Sequence, residues 1–291
     1  MLIQERVNEA DVVLKVFVAI DDRWKALRAA LEGQQFPRDA RGGKPRLHAS
    51  EVMTILVLGA LAGLTDKAKL YYLIRTHHGS AFPALVSYSK FVEASNRVGR
   101  ELAGLVSEAI ARNREANPYP VVFQDSTPVP VCKVVRAIAH KTFAKGARKS
   151  RNRSGWWYGF KLHVQCDEDG RVLGLRITAA NDDDRRVLDQ MTAWMASGIL
   201  VGDAGYVSAA KAEELGARGV KLVTGIRKNM KKLATAFDLA CLQARRRVEE
   251  VFGFLKCSFG LVRSTHRAPY ALPIHLLACV LAYCLFKEFF A

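Results

Sequence analysis

The sequence predicts an α/β protein, a mixed β-sheet with flanking helices that is preceded by an all-helical N-terminal region. Residues 1–116 carry helical patterns, whereas the chain beyond "NPYP" (117–120) alternates β-rich runs with helical ones. Two of the β-rich runs, in 160–181, form a predicted hairpin. A hairpin followed by alternating strands and helices gives a sheet with antiparallel and parallel pairs. We therefore divide the chain into 1–116 and 117–291.

The composition is that of a globular protein with a polyanionic partner. Half of the 291 residues are hydrophobic, a quarter are charged, and the net charge is +16. Such an excess of positive charge favours binding to nucleic acid or to an anionic membrane surface. The six cysteines lie far apart and no pair has CxxC spacing, which argues against a zinc site or a disulfide framework. Reduced thiols of a cytosolic protein are expected.

The N-terminal region is predicted to be a set of short helices. A first charged helix covers about 5–32, a polar linker follows at 33–46, and further helices continue to about 115. Basic residues on these helices suit a DNA-binding module, but a plain helical support domain explains the pattern equally well. Both interpretations stay open at this stage.

The C-terminal segment 271–290 raises the question of a membrane span. It contains Pro273, His275, Lys287 and Glu288, so its uninterrupted apolar run is shorter than the roughly 20 residues that a span needs. We expect a buried C-terminal helix and no membrane partner.

The second region supplies the sheet. The predicted order is strand, hairpin, helix, strand, helix, strand and helix, located at 121–127, 160–181, 183–197, 199–203, 208–219, 220–228 and about 238–258.

Two aspartates end apolar strands of this sheet, Asp125 in "VVFQDST" and Asp203 in "ILVGD". Groups at the carboxyl ends of strands meet at the ligand crevice of an open α/β sheet. A third acid is expected from the last helix, which offers Glu249 and Glu250. Glu249 shares a helical stripe with Arg245 and Lys256, which suits a metal ligand near phosphates, so we favour Glu249.

Three carboxylates suit metal-assisted chemistry on a phosphodiester. Two Mg²⁺ ions about 4 Å apart activate the attacking water and stabilise the leaving oxygen. Because Mg²⁺ prefers carboxylate and water oxygens, Asp125, Asp203 and Glu249 are predicted to hold the pair, with Mn²⁺ as a substitute. Each aspartate taken singly is better explained as a turn or cap residue, and the case for a metal site depends on three acids at matching places in the order of elements.

A basic, aromatic segment follows the first aspartate. No acidic residue lies between Asp125 and Asp167, and a second basic cluster occurs at 227–232. Phosphate contacts and base stacking are therefore predicted for part of this segment. The residues singled out there are Arg148, Lys149, Arg151, Arg153, Trp156 and Trp157.

Four motifs together resemble bacterial insertion-sequence transposases of the DDE type, whose catalytic core has the ribonuclease H-like fold. They are "QDSTPVP", "WWYGFKLHV", "GDAGY" and "RRRVEEVFGFLK", in that order. The resemblance implies that Arg245 and Lys256 contact phosphates near the cleaved bond, and that Lys161 and His163 do likewise. Leu242 stands where that family often has a tyrosine, and the short spacing between Asp203 and Glu249 leaves no room for a large β insertion.

The resemblance also implies an activity. The protein would bind the terminal inverted repeats of an element, cleave double-stranded DNA with Mg²⁺, and join the freed 3′-hydroxyl to target DNA. A dimer would pair the two ends, acting in the bacterial cytoplasm at the nucleoid. Two rivals remain, a nuclease or resolvase without strand transfer and a catalytically inactive DNA-binding relative.

Overall fold

The computed structural model describes residues 10–30, 45–118, 120–225, 235–262, 266 and 268–290. The predicted linker 33–46 therefore falls almost entirely outside the described residues, and the basic cluster 227–232 falls outside them completely. The described chain forms two compact units, a helical unit within Met1–Ala109 and Leu255–Ala291 and an α/β unit within Ile110–Phe254.

Among its described residues, the helical unit has five N-terminal helices, the last of which continues into the α/β unit, and one C-terminal helix. Their bounds are α1 Ala10–Ala30, α2 Ala49–Leu61, α3 Lys67–His77, α4 Tyr88–Arg97, α5 Gly99–Glu115 and α10 Ala271–Phe290. Nearly every residue of α2 is buried, because α1 and α10 both pack against it. The C-terminal helix, which the sequence analysis grouped with 117–291, thus packs among the N-terminal helices. The functional division at residue 116 stays a prediction.

One helix in the described part of the chain, Ala271–Phe289, is long and apolar enough to cross a membrane by length and composition. More than half of its most apolar window, 56%, is buried inside the protein, as in the core helix of a globular protein.

The α/β unit contains six strands and four helices among its described residues. The strands are β1 Val121–Cys132, β2 Arg148–Asn152, β3 Gly155–Cys166, β4 Val172–Ala179, β5 Gly198–Gly202 and β6 Val220–Thr224. The helices are α6 Leu188–Thr192, α7 Ala209–Ala217, α8 Ala236–Ala244 and α9 Arg246–Gly253.

The sheet has the strand order β2-β3-β1-β5-β6, and β4 pairs with β3 beside β2. The β1–β3, β2–β3 and β3–β4 pairs are antiparallel, whereas β1–β5 and β5–β6 are parallel. This arrangement confirms the predicted fold class, a mixed sheet with flanking helices that follows a helical N-terminal region. The strand β2 was not predicted.

The two faces of β1 are covered by different elements. Val122 lies in a core cluster with Leu188 of α6, Leu200 of β5 and Leu215 of α7. On the other face, α9 packs across β1 and β3. The predicted long helix at about 238–258 is in fact α8 and α9, which meet at Arg245, followed by a π-helical turn at Phe254–Ser258.

Candidate functional site

The two aspartates emerge side by side from neighbouring strands. Phe123 of β1 is the register partner of Val201 of the parallel strand β5. Asp125 and Asp203 each stand two residues beyond that pair, on strands that are about 4.8 Å apart in a sheet. Asp203 also caps the short 3-10 helix Ala204–Tyr206 by accepting the Gly205 N–H at 2.8 Å. The sheet therefore brings the two carboxylates to one place.

The surroundings of the Asp125 carboxyl disfavour its ionised form. Burial, the largest cause, and the negative charge of Asp203 raise its pKa, which comes to about 6. The Ser126 N–H, at 2.7 Å from Asp125 Oδ1, and the Arg245 guanidinium act in the opposite direction. Burial outweighs these two effects, so the net direction of the pKa shift is upward.

Arg245 links the first aspartate to the helix that follows the sheet. Its Nη1 donates to Asp125 Oδ2 at 2.9 Å and its Nη2 donates to Glu249 Oε1 at 2.7 Å. The Arg245 side chain is only 23% exposed, whereas that of Glu249 is 57% exposed. A single guanidinium thus connects residues that are 124 positions apart in the sequence.

Glu250 points to a different neighbourhood. It accepts from Arg247 Nη1 at 2.6 Å, and both charges act on the pKa of the buried Cys166 thiol at the end of β3. Of the two glutamates that the sequence left as candidates, Glu249 is the one tied to Asp125.

The donor chemistry of this region fits a hard divalent cation. Asp125 and Asp203 present carboxylate oxygens from adjacent strands, and Mg²⁺ is commonly bound by one or two carboxylates together with substrate phosphates. Glu249 is engaged by Arg245, and within the described residues no three His, Cys, Asp or Glu side chains form a group that could hold a metal ion. The two aspartates alone would therefore supply only part of the ligands that a divalent ion needs.

Half of the ten predicted DNA-binding residues are exposed on a hairpin formed by β2 and the start of β3. The exposed side chains there are Arg148, Lys149, Arg151, Arg153 and Trp156. The Arg151 guanidinium lies 5.9 Å from the centre of the Trp156 ring, and Trp156 is 60% exposed. Trp157, by contrast, is buried and contributes to the core.

Lys161 and His163 lie on the opposite face of β1 and β3 from Asp125, and this corrects the expectation that they contact DNA. Lys161 Nζ donates to Asp184 Oδ1 and to the Asp182 carbonyl, both at 2.7 Å. His163 has no exposed surface, its Nε2 lies 2.9 Å from Thr178 Oγ1, and burial lowers its pKa to about 4. Groups that are engaged and enclosed in this way are not available to phosphates.

Asp184 is the residue of this neighbourhood that the sequence analysis missed. It accepts from Lys161 and, through Oδ2, from the Ser126 hydroxyl at 3.0 Å. The run of three aspartates directly after β4, at 182–184, was the available signal. Lys256 lies in the π-helical turn Phe254–Ser258, which belongs mostly to the helical unit.

Similarity to known proteins agrees with this geometry. A family model described as "Transposase DDE domain" matches residues 115–269, more than half of the chain. The solved synaptic complex of piggyBac transposase with hairpin DNA shares the fold, with a TM-score of 0.52 and 10% identity over 99% of this chain and 74% of that chain. A pre-cleavage Mos1 transpososome aligns at 14% identity over 89% of this chain and 85% of that chain, but its TM-score of 0.21 is too low to show a shared fold. No curated protein matches the sequence.

Proposed function

This chain belongs to the DDE transposase family, and from that premise we propose that it is a bacterial insertion-sequence transposase with Asp125, Asp203 and Glu249 as its catalytic residues. It binds the terminal inverted repeats of its element, cleaves the DNA strand at each end with Mg²⁺, and transfers the freed 3′-hydroxyl to target DNA. Both reactions take place in the same site.

One observation carries the proposal, the convergence of Asp125 and Asp203 on adjacent strands beside a guanidinium, that of Arg245, which Asp125 shares with Glu249. Burial and the neighbouring carboxylate both raise the pKa of Asp125, which is unfavourable for an ionised pair. Carboxylates that need an external cation are the expected form of a metal-dependent phosphodiester site. Divalent ions bound there would activate the attacking hydroxyl and stabilise the leaving oxygen.

The protein's own residues are assigned the remaining tasks. Asp125 and Asp203 bind the ions from the sheet, and Glu249 adds a carboxylate from α9. Arg245, which donates to Asp125 and Glu249, is assigned to contact the phosphate that is cleaved. The exposed hairpin side chains Arg148, Lys149, Arg151, Arg153 and Trp156 bind the flanking duplex through phosphates and stacking.

The helices of residues 1–116 and the basic cluster 227–232 are assigned to recognition of the element ends. Two protomers are required because two ends must be paired before they are joined to one target. The net charge of +16 supports double-stranded DNA as the partner, because DNA is a polyanion.

The test uses the purified full chain, duplexes copied from the DNA that flanks its coding region, and Mg²⁺. Wild type, Asp203→Asn and the control Asp169→Asn are compared for cleavage, and for joining of pre-cleaved ends to a supercoiled plasmid. Asp169 is a suitable control because it lies in the exposed β3–β4 turn and is paired with Arg171. We expect Asp203→Asn to bind DNA normally but to lose both reactions.

Cleavage without joining by the wild type would identify a nuclease instead of a transposase. Binding without either reaction would identify an inactive DNA-binding relative. Unchanged cleavage by Asp203→Asn would remove this residue from the site.

A further inference from the structure

Two aliphatic side chains project into solvent from the segment that connects β1 to β2. Val135 is 88% exposed and Ile138 is 93% exposed, the highest values among the exposed large apolar side chains of the described chain. Val135 belongs to the 3-10 turn Val134–Arg136, and Ile138 follows two residues after its end. Residues three apart lie on the same side of such a turn, so the two side chains form one apolar ridge.

The exposure of this ridge does not come from a loosely packed segment. Ala137, Phe143 and Ala147 of the same segment are buried. The His140 ring stacks on Phe143 at 5.5 Å, and Phe143 meets the edge of Phe160 of β3 at 5.9 Å. The segment is therefore anchored to the sheet on one side and presents Val135 and Ile138 on the other.

The charges around the ridge indicate what it contacts. Lys133, Arg136, Lys141 and Lys145 are all exposed in the same segment. No acidic residue occurs from 126 to 166, so the partner has to supply the negative charge. Two aliphatic side chains cover far less than the roughly 800 Å² per partner that a stable protein interface buries. Duplex DNA has apolar, stacked base pairs between two negatively charged backbones. It therefore fits this surface better than a second copy of the chain does.

We propose that Val135 and Ile138 form a wedge that enters between adjacent base pairs of bound duplex DNA, while the surrounding lysines and arginine hold its phosphates. Apolar side chains inserted in this way partly unstack a base step and bend or unwind the duplex. The proposal rests on the proposed DNA-binding function and adds a distortion of the DNA to it. The wedge follows the strand that carries Asp125, so it would act on the same bound duplex at some distance from the catalytic aspartates.

The experiment measures unwinding of a closed circular plasmid that is relaxed by topoisomerase I in the presence of the full-length protein. The test variant is Val135→Ser/Ile138→Ser, and the matched control is Phe237→Ser/Leu239→Ser, which changes two exposed apolar residues of α8. Plasmid occupancy is set equal for all proteins by a parallel binding measurement. Because all four side chains are exposed, both variants are expected to keep the wild-type thermal unfolding temperature.

We expect the wild type and the control to change the linking number of the plasmid, and the test variant to lose at least half of that change at equal occupancy. The test variant's affinity for DNA should depend on salt concentration as strongly as that of the wild type, because its phosphate contacts are intact. Equal unwinding by wild type and test variant overturns the wedge.

Failure of the wedge and failure of the proposed function give different results. If the wild type binds plasmid DNA without unwinding it, the wedge is wrong and the DNA-binding function stands. If the wild type does not bind duplex DNA at low salt, the proposed function itself fails. A change in oligomeric state of the test variant in sedimentation, with unwinding retained, assigns the ridge to an interface between copies and overturns the wedge.

Discussion

Charged residues lie against both faces of strand β1, but the two groups differ in how their charges are compensated. On one face Asp125 stands beside Asp203 and shares a single guanidinium, that of Arg245, with a glutamate. On the other face Ser126 and Lys161 both donate hydrogen bonds to the Asp184 carboxylate, at 3.0 Å and 2.7 Å. Consecutive residues of one strand thus belong to an incompletely neutralised group and to a satisfied network.

This difference distinguishes a functional site from residues that only stabilise the fold. A closed network of complementary charges stabilises the fold and leaves little for a ligand to add. A pair of like charges weakens the fold unless something binds to it, and such strain is typical of functional sites. Charge deletions on the two faces should therefore have opposite effects on stability.

The largest effect is expected on the networked face, from Lys161→Met. The substitution leaves the Asp184 carboxylate, 25% exposed, without its cation, which should lower the free energy of unfolding by about 3 kcal/mol. Urea unfolding measures this loss. Lys90→Met, which removes an exposed pair with Glu93, should cost under about 1 kcal/mol and serves as the control. Adding Asp184→Asn to Lys161→Met should restore part of the loss, and a purely additive result would contradict the network.

His163 gives the same face a pH dependence. Burial lowers its pKa to about 4, against about 6.5 in an unfolded chain, so the unfolded state binds the proton first as the pH falls. Stability is therefore complete above pH 6.5 and declines toward pH 4. Nearby charges act in both directions, with Asp184 and Asp182 raising the pKa and Lys161 and Arg176 lowering it.

His163→Gln removes this proton site while its amide can still bond Thr178. The wild type should lose about 2 kcal/mol more than the variant between pH 7.5 and pH 4.5. Urea unfolding at the two pH values tests this difference. Equal losses would show that His163 is not the titrating group.

The aspartate face should respond in the opposite direction. Asp203→Asn removes one of two neighbouring negative charges while asparagine still caps the following 3-10 turn. Without divalent ions and at low salt, the variant should be about 1 kcal/mol more stable than wild type. Thermal or urea unfolding in a chelating buffer provides the measurement, with Asp169→Asn as control. A destabilised variant would place Asp203 among the structural residues.

The smallest stability effects are expected at the two glutamates of α9. Glu249→Gln and Glu250→Gln each break an exposed ion pair, so both should change the free energy of unfolding by less than about 0.5 kcal/mol. Their cleavage rates should differ sharply. Glu249→Gln should lose more than the roughly 10- to 100-fold typical of an outer-shell partner, and Glu250→Gln should retain activity. The reverse ranking would move the third carboxylate to Glu250.

The sequence was sufficient to predict the hairpin and the parallel strands, because apolar runs are a local pattern. It was wrong to end the first strand near Asp125, since β1 continues to Cys132 and Asp125 lies within it. It was insufficient for β2, whose Arg148, Lys149 and Arg151 are unusual in a strand and are accommodated at the edge of the sheet. It also misplaced Lys161 and His163. They alternate with buried Leu162 and Val164, as residues of an exposed face would, but the segment with Asp184 covers that face. When a segment distant in the sequence buries one face of a strand, the local sequence pattern of that strand does not show it.

The helical unit has a consequence for synthesis of the protein. Helix α2, which is almost entirely buried, packs against α10, and Ala271 follows Leu61 by 210 positions. At translation rates of 5–20 residues per second, α2 waits roughly 10–40 s for its partner, and chaperones are the expected protection during that time. A frameshift after β6 would therefore remove α10, the packing partner of α2. It would leave the N-terminal half with a permanently exposed apolar helix, a species that cellular proteases remove.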